Sequence, residues 1–230
     1  MNVELKEFFK LDEDAYYIYK GKKRLCGIYP DCNNCIRNDM AREQAKLTPV
    51  PYMEVFSYVN DFLEKIRFEN GAKEKVLREE HIELDGLQHT ILNNGIIVKN
   101  CEWDAPIYDK NKKLYTYHDK KYDIIKEKFN LYYEGNLIWL KFTTKGHLGV
   151  VAKGFDINYD NDTKSGRLIK EVDQEWDESF VLIFPLTDEL LEHYTGYGIE
   201  LAVGNYLIYN KQVPIIDYYS HNNYDKKIFR

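Results

Sequence analysis

The apolar positions of this chain change their period twice. Met53, Phe56, Val59, Phe62, Leu63 and Ile66 recur three and four residues apart, the spacing that lines one face of an α-helix. Thr48, Pro49 and Pro51 precede this stripe and Asn70-Gly71 follows it, signals that start and stop a helix. The pattern predicts an amphipathic helix with its stripe in the core. From Leu84 to Pro185 the periodicity shortens to that of strands. Asn93-Asn94-Gly95 between apolar runs predicts a hairpin. Leu131 to Phe142 reads as strand, turn at Glu134-Gly135-Asn136, strand, and the segment from Gly149 to Tyr159 alternates. The unbroken apolar run Phe180 to Phe184 predicts a strand buried on both faces.

The helical period returns after Thr187, which with Asp188 and Glu189 forms an N-cap and an acidic first turn. Ile199, Ala202, Val203, Tyr206 and Leu207 then supply a second stripe. Val213 to Asp217 reads as a last strand, which Pro214 restricts to an edge or to its first residues. At the other end, residues up to about Glu80 read as mainly helical after a short strand-like opening, with Asp14 to Lys23 a strand running into a turn. The expected class is α+β, a largely antiparallel β-rich centre flanked by helical N-terminal and C-terminal segments. Residues 1–83 form the helical region with a cysteine cluster and 84–230 the β-rich region with the later helices. The two are expected to fold as one compact unit.

Composition narrows the class. The chain has 230 residues, 44% hydrophobic and 30% charged, the balance of a globular protein with a sizeable core. No apolar run approaches the roughly 20 residues of a membrane-spanning helix. The first ten residues lack a long apolar stretch and a small-residue cleavage site. A cytoplasmic location without membrane contact is the expectation. A net charge of −6 argues against bulk nucleic-acid binding, which requires a basic surface. A local exception is the segment from Lys110 to Lys128, where seven lysines interleave with Tyr115, Tyr117 and Tyr122. Such a segment can grip phosphates and stack bases, or it can be a solvated hairpin whose lysines blunt an edge. The 20 tyrosines suit half-buried strands and binding surfaces alike.

The densest candidate chemistry is the run Cys26-Gly-Ile-Tyr-Pro-Asp-Cys32-Asn-Asn-Cys35, which holds three of the four cysteines. In a reducing compartment such clusters serve metals more often than disulfides. Cys32 and Cys35 present two thiolates from one turn, Cys26 a third, and Cys101 the fourth ligand of a structural zinc; His81 or His89 could replace it. Unligated buried thiols are the competing expectation. At these three positions the spacing also resembles the cluster loop of adrenodoxin-type ferredoxins, which implies an iron–sulfur group. In that family the fourth cysteine follows much sooner than Cys101 does.

Weaker candidates complete the picture. His147 lies between Gly146 and Gly149, Asp156 opens a run of alternating oxygen ligands, and Asp217 precedes Ser220-His221 at a strand end. The run from Asp156 fails the calcium-loop pattern, with Asn161 at the required glycine and Arg167 at the bidentate glutamate. Glu134 and Lys141 are too far apart for an acidic-x-lysine nuclease pair, and the phosphate-loop, dinucleotide and zinc-protease motifs are missing. The leading expectation is a zinc-stabilised cytoplasmic protein that acts by binding another protein. The alternatives are a hydrolase or nuclease using His147, Asp156, Asp217 or His221, and a nucleic-acid-binding accessory protein using the Lys110–Lys128 segment.

Overall fold

A computed structural model describes residues 3–10, 18–19, 22–23, 41–84, 87–99, 107–109, 114–116, 137–154, 169, 172–173, 181–217 and 229–230. Its opening is helical rather than strand-like: α1 spans Val3–Phe8. Two-residue strands β1 (Ile18–Tyr19) and β2 (Lys22–Lys23) pair where a strand and turn were expected. Helix α2 runs Tyr52–Glu69. Strands β3 (Glu79–Leu84), β4 (Leu87–Leu92) and β5 (Gly95–Lys99) follow, then the small pair β6 (Ile107–Asp109) and β7 (Leu114–Thr116). Strands β8 (Leu137–Phe142), β9 (Leu148–Gly154) and β10 (Val181–Pro185) come next. The chain continues through α3 (Asp188–Leu191), α4 (Gly196–Asn205) and a π-helical turn at Tyr206–Asn210 to β11 (Ile215–Asp217).

Seven strands form one sheet in the order β11-β9-β8-β10-β5-β4-β3. Every pairing is antiparallel except β11 with β9. This mostly antiparallel sheet with its helices makes the protein α+β. Strand β10 is central, bonded to β8 and β5, and its residues Val181 to Phe184 are buried, as the continuous apolar run predicts. The β4–β5 hairpin turns at Asn93, whose φ of +50° is the left-handed conformation asparagine tolerates. Strand β11 lies at a sheet edge just after Pro214, where the missing N–H breaks no interior ladder.

Side-chain alternation divides the core in two. On one face Ile97, Ile138, Leu140, Leu182 and Phe184 pack with α1, α2, α3 and α4. On the other, Ile96, Val98, Trp139, Val150, Val181 and Ile183 pack with Ala41, Ile169 and Val172. The register of β8 against β9 slips between Lys141 and Phe142. Across this bulge Leu148 joins the helical face while Val150 joins the opposite one, an inversion a bulge permits.

Helix α2 buries Phe56, Val59, Phe62, Leu63 and Ile66 as its stripe predicts, but Met53 is exposed and Val55 is buried instead. Met53 falls in the first turn, before the helix settles on the sheet. The helix ends at Asn70, and Gly71 takes φ +103° so that the Ala72 N–H reaches the Arg67 carbonyl at 3.1 Å. Its last turns carry a buried polar network. Arg67 Nε bonds Glu64 Oε1 at 3.2 Å, a second guanidinium nitrogen donates to the Glu74 carbonyl, and Asn94 donates to Glu64. Arg67 also lies 3.5 Å from Glu189. The network ties α2 to the β4–β5 hairpin and to α3.

Candidate functional site

Helix α4 differs from α2 in being buried nearly all round, from Gly196 to Asn205, as expected of a helix inside a core. Thr195 caps it by accepting from the Gly198 N–H at 3.1 Å. Glu200 accepts from the Lys153 N–H at 2.8 Å and so fastens α4 to β9. The helix then widens into the π-turn, which the Lys211 N–H closes on the Tyr206 carbonyl at 3.2 Å. Such turns are uncommon and recur at functional sites.

Here the π-turn shapes a groove. Asn205 donates to the carbonyls of Phe8 (2.7 Å) and Lys10 (3.0 Å), drawing the end of α1 onto α4. Phe8 packs edge-on against Phe62 and Tyr206, with centroids 5.6 and 5.3 Å apart, and Phe62 stacks on Tyr206 at 4.5 Å. The three rings fix the spacing of α1, α2 and the π-turn. Between these elements lies an open groove of about 610 Å³, with Leu5, Phe8, Phe68 and Tyr206 among its lining. Glu4, Lys65, Glu69, Asn210 and Lys211 supply its polar groups.

Two features give the groove chemical character. Tyr206 is only 6% exposed, yet its hydroxyl makes no hydrogen bond among the described residues. Burial raises its pKa, with Asp61 and Glu4 adding to the effect and Lys65 opposing it, so the phenol stays protonated and available as a donor. Lys211 sits over the rings of Tyr58 and Tyr206, at 4.6 and 5.6 Å from their centroids. Among the described residues neither Lys65 nor Lys211 has a carboxylate partner, whereas Glu4 and Glu69 are each already engaged in an interaction.

The sequence-predicted candidates fall elsewhere. His147 is buried, and its Nε2–H donates to the Leu47 carbonyl at 2.8 Å; this pins the β8–β9 turn to the chain leading into α2. Asp173 secures the same turn by accepting from the Thr144 N–H (2.6 Å) and hydroxyl (2.7 Å). Asp217 is buried in β11, registered beside Val150 and held in an interaction of its own. Lys141, across Val150 on β8, is wholly buried in mid-sheet. Asp156 and His221 lie outside the described residues, as do Cys26, Cys32, Cys35 and Cys101. His81 is exposed on β3, hydrogen-bonded to Thr90 at 3.1 Å and Glu79 at 3.3 Å. Among the described residues no group of three or more histidine, cysteine or acidic side chains is arranged to hold a metal. Of the Lys110–Lys128 segment, β7 is described; its pairing with β6 sets Tyr115 opposite Tyr108. Among the described residues no helix is long and apolar enough to cross a membrane.

Sequence patterning missed the groove for a definite reason. Tyr206 belongs to a genuine core stripe and also lines the groove. The available signal was Phe68, an apolar residue off the α2 stripe and 42% exposed. No protein-family model, curated protein or solved structure matches this chain.

Proposed function

We propose that this is a cytoplasmic protein that acts by binding another protein, with Cys26, Cys32, Cys35 and Cys101 holding a structural zinc. The observation that supports the binding role is the groove, whose aromatic floor is continued to the surface by Phe68. Desolvating an exposed aromatic is where protein interfaces gain most of their energy. The described candidates for acid–base work, His147 and Asp217, are buried, and the His147 ring is committed to a backbone carbonyl.

The binding role is tested by reconstitution. A partner captured by the full chain, identified and purified, should bind the wild-type protein and lose at least tenfold in affinity to Phe68→Asp. Circular dichroism and thermal midpoint of the variant should match wild type, because Phe68 is exposed. A purified partner that binds both proteins equally would refute the role. The zinc is tested separately by metal analysis with a thiol count on protein purified without chelator. About one equivalent is expected, and chelation or Cys32→Ser should cost several kcal/mol, since metal binding and folding are coupled at such sites. Less than about a tenth of an equivalent of zinc would remove the metal.

A further inference from the structure

We infer that the groove between α1, α2 and the π-turn receives the C-terminal residue of the partner protein, its apolar side chain on the aromatic floor and its carboxylate between Lys65 and Lys211. The inference rests on the protein-binding reading and gives that partner a chemistry. At about 610 Å³ the groove is within the range of pockets that enclose an organic ligand. Its floor of Leu5, Phe8, Phe68 and Tyr206 asks for a bulky apolar group. Lys65 and Lys211, which have no carboxylate partners among the described residues, line the same groove, as does Tyr206, whose hydroxyl has no acceptor there.

Charge balance selects the anion. Glu4 and Glu69 share the rim with Lys65 and Lys211, so the lining is neutral overall. The glutamates repel any anion there, and a phosphate of nearly two charges more strongly than a single carboxylate, whose two oxygens the two lysines can match. A chain end places one carboxylate next to its own last side chain, and capture of such a terminus by converging donors is a recurrent recognition mode. An internal acidic residue lacks that juxtaposition, because its apolar neighbour along the chain points elsewhere.

The probes are two peptides that differ in one group, N-acetyl-Gly-Gly-Phe with a free carboxylate and its C-terminal amide. They are titrated into the full-length protein by calorimetry, with amide NMR shifts reporting the location. The acid should bind at least about tenfold tighter than the amide, as charge-assisted hydrogen bonds exceed neutral ones. Its advantage should shrink as salt is raised. Lys65→Gln/Lys211→Gln should abolish that advantage while leaving amide binding in place. Tyr206→Phe, which keeps the ring stack, should weaken the acid severalfold. Equal binding of acid and amide, or shifts that avoid the groove, would overturn the inference. So would 4-phenylbutyrate binding as tightly as the peptide acid, because a free acid would then suffice. If these probes fail while a purified partner still depends on Phe68, the terminus assignment falls and the protein-binding reading stands. If that dependence fails too, both fall.

Discussion

The two faces of the sheet solve the same burial problem with different materials. The helical face sets interlocking aromatic rings among its aliphatic side chains: Phe56 lies 5.1 Å from Phe184, and Phe8, Phe62 and Tyr206 pack against one another. The opposite face is mainly aliphatic, with Ile91, Ile96, Val98, Ile169 and Ile183, and it carries Trp139 and the buried Lys141. Charge is handled differently as well. On the helical side Glu64 and Arg67 pair at the end of α2, whereas Lys141 is buried within the sheet, registered between Val150 of β9 and Val181 of β10. Flat rings have few ways to rearrange, so the aromatic face fixes the positions of α1 and the π-turn. Branched aliphatic side chains can shift to absorb a change.

The largest expected effect tests the buried charge pair at the end of α2. Arg67→Ala should destabilise the protein by about 3–5 kcal/mol in urea unfolding, because it leaves Glu64 buried without its partner. The double substitution Glu64→Met/Arg67→Met should cost distinctly less, since both charges leave together. A double variant as unstable as the single one would mean the network acts through packing alone.

A matched pair of glycines probes the two materials directly. A Cβ at Gly95 would stand 2.4 Å from the Phe56 ring and 2.7 Å from that of Phe184. One at Gly149 would meet the Ile169 Cδ1 at 2.8 Å and the Lys141 carbonyl at 3.1 Å. Gly95→Ala should therefore cost about 2–3 kcal/mol and Gly149→Ala about 1 kcal/mol. Equal costs in chemical denaturation would contradict the contrast between rigid and compliant faces.

The smallest effect is a pH dependence at the start of α3. The Thr187 hydroxyl and the Glu189 backbone N–H, with a lesser contribution from Arg67, hold the Glu189 carboxyl below its ordinary value of 4.5 against the opposing effect of burial. A lowered folded-state pKa adds stability that is present above 4.5 and lost as pH falls below it through the folded value. The Glu189 side chain is 42% exposed, so screening keeps the contribution under about 1 kcal/mol. Glu189→Gln should flatten that part of the stability profile below pH 4.5. An unchanged slope would assign the acid sensitivity to other groups.

The elements of both faces were legible wherever one periodic stripe met one burial environment. Helix α2, the Asn93 hairpin, the central strand β10 and the edge strand β11 all follow from local pattern and turn chemistry. Met53 defeats the stripe because periodicity cannot say where along its length a helix first touches the sheet. Helix α1 is too short for its period to register, and tertiary contacts from Asn205 and Tyr206 hold it. The groove was illegible for a related reason. Its lining comes from three stretches of chain brought together by an aromatic trio, and each residue alone reads as core or as ordinary surface. His147 misled in the opposite direction: a histidine between glycines suggests chemistry, and its ring is spent on the Leu47 carbonyl.

The position of β10 sets an order of events during synthesis. Strands β3, β4 and β5 form a meander of near neighbours, and β8 with β9 forms a second hairpin; among the described residues only β10 joins the two sets. At about 5–20 residues per second, roughly 4–16 seconds separate the emergence of Lys99 from that of Val181 on the ribosome. Through that interval the apolar edge of β5 has no strand to receive it, and β8 faces the same vacancy once it appears. Such edges recruit other chains. Nascent-chain fragments ending before Val181 should therefore aggregate or engage chaperones, and those that include Pro185 with its following helices should not. The central strand of the finished sheet is thus the one whose late arrival governs how safely the chain is made.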